Sequence, residues 1–275
     1  MITSAKDCTT LSNGVQMPWL GLGVWKMTGE GEAETTVKTA IEAGYRSIDT
    51  AAVYGNESGV GAGIRASGVA RDELFVTTKV WNGDQGYEQA LRAFDESLRK
   101  LNMDYVDLLL IHWPVKDKYK DTWRALEQIY RDGKARAIGV SNFQIHHLQD
   151  LIASSSLIPM INQVEFHPLL SQVELREFCK TNKIQLMAWS PLMQGNLDQS
   201  ALVEIGAKHG KSPAQVVLRW DLQNEVVTIP KTSTPSRLKE NASIFDFELS
   251  PDEMKQIDLL NRNQRFGADP DNFNF

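Results

Sequence analysis

The stretch GYRSIDTAAVYGNE, Gly44 to Glu57, puts an acid and a phenol five residues apart at the end of a short apolar run. Arg46-Ser47-Ile48-Asp49 reads as the last residues of a buried strand, and Thr50-Ala51-Ala52 lets the chain turn before Tyr54 and Gly55. A helical pattern opens near Asn56, so Asp49 and Tyr54 fall in a strand-to-helix loop. In a parallel α/β protein such loops form the functional face.

Outward from this stretch the same unit recurs. Short β-branched or leucine-rich runs appear at 45–49, 75–80, 105–112, 135–140, 160–164, 184–189 and 226–229, with a weaker one at 242–244. Between most of them lie segments of helical period: 57–66, 86–101, 119–132, 144–154, 171–181, 199–209 followed by 213–223, and 235–241. Strand alternating with helix predicts a parallel sheet. Eight units without a linker or composition shift suit a closed (β/α)8 TIM barrel, one domain over residues 1–275. Upstream, Ser12-Asn13-Gly14 marks an N-terminal β-hairpin, and apolar positions from Ala33 to Ile41 predict a helix ending at Gly44. Ser212-Pro213 and Ser250-Pro251 have the form of an N-cap followed by proline in the first turn.

The composition, 42% hydrophobic and 23% charged over 275 residues, is enough for a large core. A net charge of -6 with scattered basic residues argues against nucleic acid and anionic membrane as partners. Cys8 and Cys179 are far apart and show no CxxC or Cys/His spacing, so neither a disulfide framework nor a metal site is expected, and a reduced, cytoplasmic setting is favoured. No run of about 18 apolar residues and no apolar leader are present, so a soluble protein without export signal or membrane span is expected.

Three successive strands end in groups that a strand interior does not tolerate: Asp49, Lys79 and His112. At the C-terminal mouth of a barrel these side chains converge, with Tyr54 one loop beyond. The set suits reduction of a carbonyl by hydride. Tyr54 can donate a proton to the developing alkoxide, Lys79 can ease its loss, Asp49 can hold the ammonium, and His112 can orient the substrate oxygen. Each residue alone has a plainer reading: a strand-end Asp is usually a turn residue, a Lys there is usually solvated, and His112 could be a satisfied core histidine. Gly59-Val60-Gly61-Ala62-Gly63 lies inside a helical pattern and reads as close helix packing, not as a dinucleotide loop. His146 and His147 read as solvated, and His167 before Pro168 as structural. An alternative chemistry makes Lys79 a Schiff-base nucleophile, which an adjacent Asp49 opposes by favouring the charged ammonium.

GYRSIDTAAVYGNESGVG, ARAIGVSNF and IPKTSTPSRLKEN, with KVW at 79–81 and IHWP at 111–114, resemble the signatures of the aldo-keto reductases along essentially the whole chain. The similarity is to the bacterial branch of 2,5-diketo-D-gluconate reductases and glyoxal or methylglyoxal reductases, of Bacillus type. The resemblance implies a (β/α)8 barrel, NADPH as cofactor and Asp49, Tyr54, Lys79 and His112 as catalytic tetrad. It implies Ser141, Asn142 and Gln163 for the nicotinamide carboxamide and Trp189, where many members have tyrosine, for stacking on the ring. Ser190, Leu192, Gln194 and Gly195 match the cover of the pyrophosphate. Lys231, Thr232 and Arg237 match the grip on the 2′-phosphate, with Ser233 beside them, and Glu240 and Asn241 match adenine contacts.

Trp25, Trp81 and Trp113 resemble the aromatic walls of the family's substrate pocket, with His112 at its polar corner, whereas Trp123 and Trp220 read as core. Such a pocket suits small aldehydes and ketoaldehydes. A keto sugar acid is the alternative substrate, and an NADPH-binding regulatory subunit without turnover the alternative of another class. Only Asn261 to Phe275 follow the last helix, so an open, permissive mouth is expected; a monomer is the expected state.

Overall fold

The computed structural model describes residues 2–275. A hairpin of β1 (Cys8–Thr10) and β2 (Gln16–Pro18) comes first. Eight parallel strands follow in one sheet: β3 (Leu22–Gly23), β4 (Ser47–Asp49), β5 (Phe75–Val80), β6 (Val106–Ile111), β7 (Ala135–Ser141), β8 (Ile161–Glu165), β9 (Gln185–Trp189) and β10 (Val227–Thr228). Each strand pairs with its neighbour in sequence. Parallel bridges Leu20 to Thr228 and Gly23 to Lys231, with Gly21 N–H donating to Thr228 O at 2.9 Å and Gly23 N–H to Pro230 O at 3.2 Å, join first strand to last. The sheet is therefore a closed barrel, and all strand C-termini share one rim.

The count of eight is as expected, but the eighth member is β3 at the start of the barrel and not the weaker run at 242–244. Leu22-Gly23 is too short and too glycine-rich to read as a strand, and the seam needs that smallness: a Cβ on Gly23 would stand 3.0 Å from Ile229 O. At 242–244 the backbone is satisfied by side chains instead of a ladder. Ser243 O accepts from Gln215 Nε2 and Lys211 Nζ, and Ile244 is fully buried beneath.

Helices α1 (Glu32–Glu42), α2 (Glu57–Ser67), α3 (Tyr87–Leu101), α4 (Tyr119–Arg131), α5 (Ile145–Ile152) and α6 (Val173–Thr181) follow successive strands. Of the remainder, α8 (Pro213–Gln223) and α9 (Pro235–Ala242) complete the ring, α9 packing on both α8 and α1. The other two, α7 (Ser200–His209) and α10 (Pro251–Asp258), pack on each other outside it. Both serine-proline starts form capping boxes, Ser212 with Gln215 and Ser250 with Glu253. The glycines of α2 do pack closely: a Cβ on Gly61 would lie 2.1 Å from Leu101 O, and one on Gly63 2.5 Å from Glu34 O.

The hairpin plugs the opposite end of the barrel from the rim. Thr9 Oγ1 donates to Gln185 at the start of β9, and Asn13 Nδ2 donates to Arg136 O near the start of β7. Its turn spans 11–15 with a positive φ at Gly14 and not at Asn13, so it is longer than a two-residue Asn-Gly turn. Among the described residues no helix is long and apolar enough to cross a membrane.

Candidate active site

Asp49 closes β4, and the chain leaves it through a short 3-10 turn, Ala52–Tyr54, that ends at Gly55 with φ of 68°. Asn56 braces this loop: its Oδ1 accepts from Thr50 Oγ1 at 2.8 Å and its Nδ2 donates to Val24 O at 2.9 Å. The brace turns Tyr54 back over the strand ends. Lys79, one residue before the end of β5, donates from Nζ to Asp49 Oδ1 at 2.5 Å, to Thr50 O at 2.9 Å and to Tyr54 Oη at 3.4 Å. His112 follows β6 immediately, and its ring stands edge-on to Tyr54 with centroids 5.7 Å apart. The structure thus brings all four residues of the expected set together.

Burial pushes the Asp49 carboxyl up against the pull of Lys79. Burial pulls Lys79 down, but Asp49 and Tyr54 together hold it above the ordinary lysine range, so the ammonium persists at neutral pH. Tyr54 lines the cavity, and its hydroxyl lies against the Lys79 ammonium. Burial of that hydroxyl pushes the phenol up, Lys79 opposing and Asp49 adding to it. Lys79 was expected to ease loss of this proton; here its pull is the smaller effect, and Tyr54 stays protonated. His112 is driven well below 6.5, by burial first and then by the Lys79 charge, and is a neutral imidazole. Its Nδ1 is buried without a partner, which favours the tautomer carrying the proton on Nε2.

Beside this set lie the residues expected at the nicotinamide. Gln163 Nε2 donates to Asp49 Oδ2 at 2.7 Å, and Ser141 Oγ donates to Gln163 O at 2.9 Å. Asn142 Nδ2 donates to His112 O at 3.0 Å, and Asn142 Oδ1 accepts from Trp189 Nε1 at 2.8 Å. Asn142 and Ser190, each the first residue after a strand, hold φ of 64° and 53°, and Gln194 holds 52°. Left-handed backbone at non-glycine residues costs energy and clusters at functional sites.

One cavity of about 430 Å³ opens on this rim. Trp25, Val53, Trp81, Trp113 and Phe275 line it with Tyr54 and His112, and Trp189, Ser190, Gln194 and Lys231 extend it. The expected open mouth is not found, because the tail folds back over it. Phe275 stacks on Trp81 at 5.9 Å with an interplanar angle of 5°, meets Trp113 edge-on at 5.2 Å, and its carbonyl accepts from Asn82 Nδ2. Further along the tail, Phe266, Gly267 and Ala268 also line the cavity. These contributions were missed from sequence; the available signal was three phenylalanines, Phe266, Phe273 and Phe275, in a tail without helical period.

The remaining expected cofactor residues lie outside the cavity. Leu192 precedes, and Gly195 ends, the turn Met193–Gly195. Thr232 is buried, Ser233 and Arg237 are exposed at the start of α9, and Asn241 is buried near its end. Glu240 accepts from Ser212 Oγ at 2.5 Å. Trp123 and Trp220 are fully buried core, as expected.

Two histidine expectations change in detail. His147 is not solvated: it packs against Tyr119 and Phe143 and accepts the Gln144 amide on Nδ1 at 3.2 Å. Its Nε2 and that of exposed His146 reach Asp271 at 3.6 and 3.1 Å, the one cluster of possible metal ligands found among the described residues. Because Nδ1 of His147 is an acceptor, its proton sits on Nε2 toward Asp271, and the cluster clasps the tail. His167 is structural as expected, fully buried at 3.0 Å from Glu165.

Comparison with known proteins agrees with this geometry. The aldo/keto reductase family matches residues 19–262. The chain is 63% identical over 276 residues to the glyoxal reductase of Bacillus subtilis, covering 100% of both chains. It is 49% identical over 268 residues to the methylglyoxal reductase DkgA of Salmonella typhimurium, covering 96% of each. Among solved structures, an aldo-keto reductase of Bombyx mori in complex with NADP superposes with a TM-score of 0.91 at 36% identity, covering 98% of this chain and 97% of that one. The chain belongs to the aldo/keto reductase family and is an oxidoreductase of that family.

Proposed function

We propose that this protein reduces small uncharged aldehydes and ketoaldehydes, glyoxal and methylglyoxal among them, to alcohols with NADPH, as one domain over residues 1–275 working as a cytoplasmic monomer. The observation that carries the reading is a protonated Tyr54 hydroxyl 3.4 Å from a buried ammonium, on a residue that lines an aromatic cavity. The printed activities of the two similar reductases support the substrate class. Two unpaired cysteines, Cys8 exposed and Cys179 buried, suit a reducing compartment.

The residues present fit NADPH. Lys231 on the cavity and exposed Arg237 at the first turn of α9 form no ion pair among the described residues, and two such cations suit a dianionic phosphate. Asn142, Gln163 and Ser141 supply amide and hydroxyl groups beside Tyr54 that can hold a carboxamide. When bound, the cofactor supplies the hydride. Tyr54 Oη gives a proton to the carbonyl oxygen as charge develops there. Lys79 stabilises the phenolate left behind, and Asp49 holds Lys79 in line. Neutral His112 donates from Nε2 to the same oxygen and fixes which face of the carbonyl is presented. The walls Trp25, Trp81, Trp113 and Phe275 exclude water and select small apolar groups.

A keto sugar acid is the weaker reading. Lys231, the one cation among the described lining residues, sits at the β3 and β10 seam and not among the aromatic walls, so a substrate carboxylate there would be desolvated without a partner. A binding subunit without turnover is weaker still, since all four tetrad groups are in contact.

The test follows NADPH oxidation by absorbance against glyoxal, methylglyoxal, an aromatic aldehyde and a keto sugar acid, with wild type and Tyr54→Phe. Wild-type turnover of the small aldehydes, falling at least about 100-fold in Tyr54→Phe with NADPH binding kept, supports the reading. Equal rates in the two proteins overturn Tyr54 as acid. Preference for the keto sugar acid overturns the substrate class.

A further inference from the structure

Glu165 ends β8 beside Trp189, its register partner on β9, and is fully buried. Nothing in the proposed chemistry uses it. Its carboxylate instead takes two consecutive amides of the tail: Oε1 accepts from Phe266 N–H at 2.7 Å and Oε2 from Gly267 N–H at 3.2 Å. His167 Nε2 lies 3.0 Å from Oε1, an oxygen that also accepts from Phe266 N–H, so Nε2 carries the proton and donates. Arg265 stands 3.9 Å from Oε2. Its two oxygens are thus met by two backbone amides and an imidazole, with a guanidinium beyond them.

What this anion holds is a strap laid across the cavity rim. A Cβ on Gly267 would lie 2.3 Å from Trp189 Cη2, so the strap rests directly on the indole and only glycine permits that approach. The far edge of the same indole donates from Nε1 to Asn142 Oδ1 at 2.8 Å. On the other side, Gln194 Nε2 donates to Phe266 O at 3.3 Å and ties the strap to the turn after β9. Trp189, Gln194 and Gly267 all line the cavity. The contacts run without a break from Glu165 through the strap to Trp189 and Asn142.

Resting on the NADPH reading above, we infer that Glu165 is a positioning residue: it clamps the Phe266–Gly267 strap onto Trp189, and this clamp sets the rate at which the dinucleotide leaves. The chemistry favours a carboxylate over any neutral acceptor, because two adjacent N–H groups and an imidazole N–H converge on its two oxygens. Glutamine would turn an NH₂ toward one of those donors and open one side of the clamp. Alanine at Gly267 acts from the opposite side: its methyl would meet Trp189 Cη2 at 2.3 Å and Glu165 Oε2 at 3.2 Å, so the strap must lift from the indole while the carboxylate itself is kept. Gly267 has no left-handed φ, so this substitution adds no backbone strain.

The experiment uses the full chain as wild type, Glu165→Gln, Glu165→Asp and Gly267→Ala. Release of NADPH is followed by its fluorescence during a stopped-flow chase with excess NADP+, and backbone hydrogen exchange is read in the peptide covering 264–269. The expected result is release about tenfold faster in Glu165→Gln and Gly267→Ala, a matching rise in Kd for NADPH, and faster exchange confined to that peptide. Glu165→Asp, which keeps the charge with a shorter reach, recovers part of the effect. Faster exchange with wild-type release would make Glu165 merely structural and overturn the proposal. Should Glu165→Gln fail to fold, Gly267→Ala decides alone, and wild-type release in that variant overturns it. Absence of NADPH binding by wild type would sink the functional reading itself, and this inference with it.

Discussion

The Asp49 carboxylate and the Lys79 ammonium meet at 2.5 Å with both side chains almost wholly shielded from solvent. Removing one partner of such a pair leaves a buried charge uncompensated, which costs about 3–5 kcal/mol. Asp49→Asn keeps the shape and an acceptor for Gln163 but loses the counter-charge. A loss of stability of that order, read as a drop in Tm of about 2–4 °C for each ~1 kcal/mol, and a fall in kcat of at least about tenfold are expected, measured by calorimetry and steady-state rates. A variant as stable as wild type would show that the ion pair contributes little beyond its shape.

The pH profile expected of the proposed chemistry follows from Tyr54 and His112. His112 lies well below 6.5, from burial and then Lys79, so it does not titrate near neutrality. Tyr54 is held above 10, from burial first, so the acid form persists into alkaline solution. The acid must be protonated to act; kcat/KM is therefore expected to stay flat from about pH 6 to about pH 9 and to fall only on the alkaline side. A step near pH 6.5 that vanishes in His112→Gln would show an imidazole that ionises, against the buried geometry.

Phe275 narrows the mouth through its stack on Trp81 and its edge contact with Trp113. An aromatic pair of this kind is worth about 0.5–1.5 kcal/mol, or roughly 2–10-fold in affinity. Phe275→Ala is expected to raise KM for methylglyoxal by about that factor and to improve kcat/KM for a bulky aromatic aldehyde. Unchanged selectivity across the two substrates would remove the tail from the specificity account.

Asp221 is fully buried in α8; its Oδ2 accepts from Thr228 Oγ1 at 2.7 Å and its Oδ1 has no partner. Burial raises its folded-state value well above 3.8, against a smaller lowering by Thr228. As pH rises through about 4 the unfolded chain releases this proton while the folded chain retains it, so folding loses stability until the folded value is passed. Asn cannot ionise in either state and can still accept from Thr228. Asp221→Asn is expected to gain in Tm over wild type, by about 2–4 °C for each ~1 kcal/mol, and to gain more at pH 7 than at pH 4. A difference in Tm that does not change with pH would mean that Asp221 is ionised in the fold.

Asp49, Tyr54, Lys79 and His112 were legible in the sequence because each breaks a local rule. An ionisable group at the end of an apolar strand has few explanations, and three in succession in a parallel barrel converge by topology alone. The helix starts at Ser212-Pro213 and Ser250-Pro251 and the packing glycines of α2 were legible for the same reason: their physics is contained within a few residues. The strand Leu22–Gly23 was not, since two residues carry no period and become a strand only when β4 and β10 offer backbone partners on either side.

What the amino-acid sequence determined by itself was the alternation of strands and helices from β4 to β10, the identity of the four side chains that meet at the rim and the aromatic character of the pocket beside them. What only the tertiary structure decided was the set of relations between distant segments. The tail covers the mouth, Glu165 holds the amides of Phe266 and Gly267 about a hundred residues away, and Trp189 points its N–H at Asn142. Local propensity and spacing act over a few residues, whereas a buried carboxylate or an indole takes whichever donor or acceptor the closed barrel brings to it, and that choice exists only once the chain has folded.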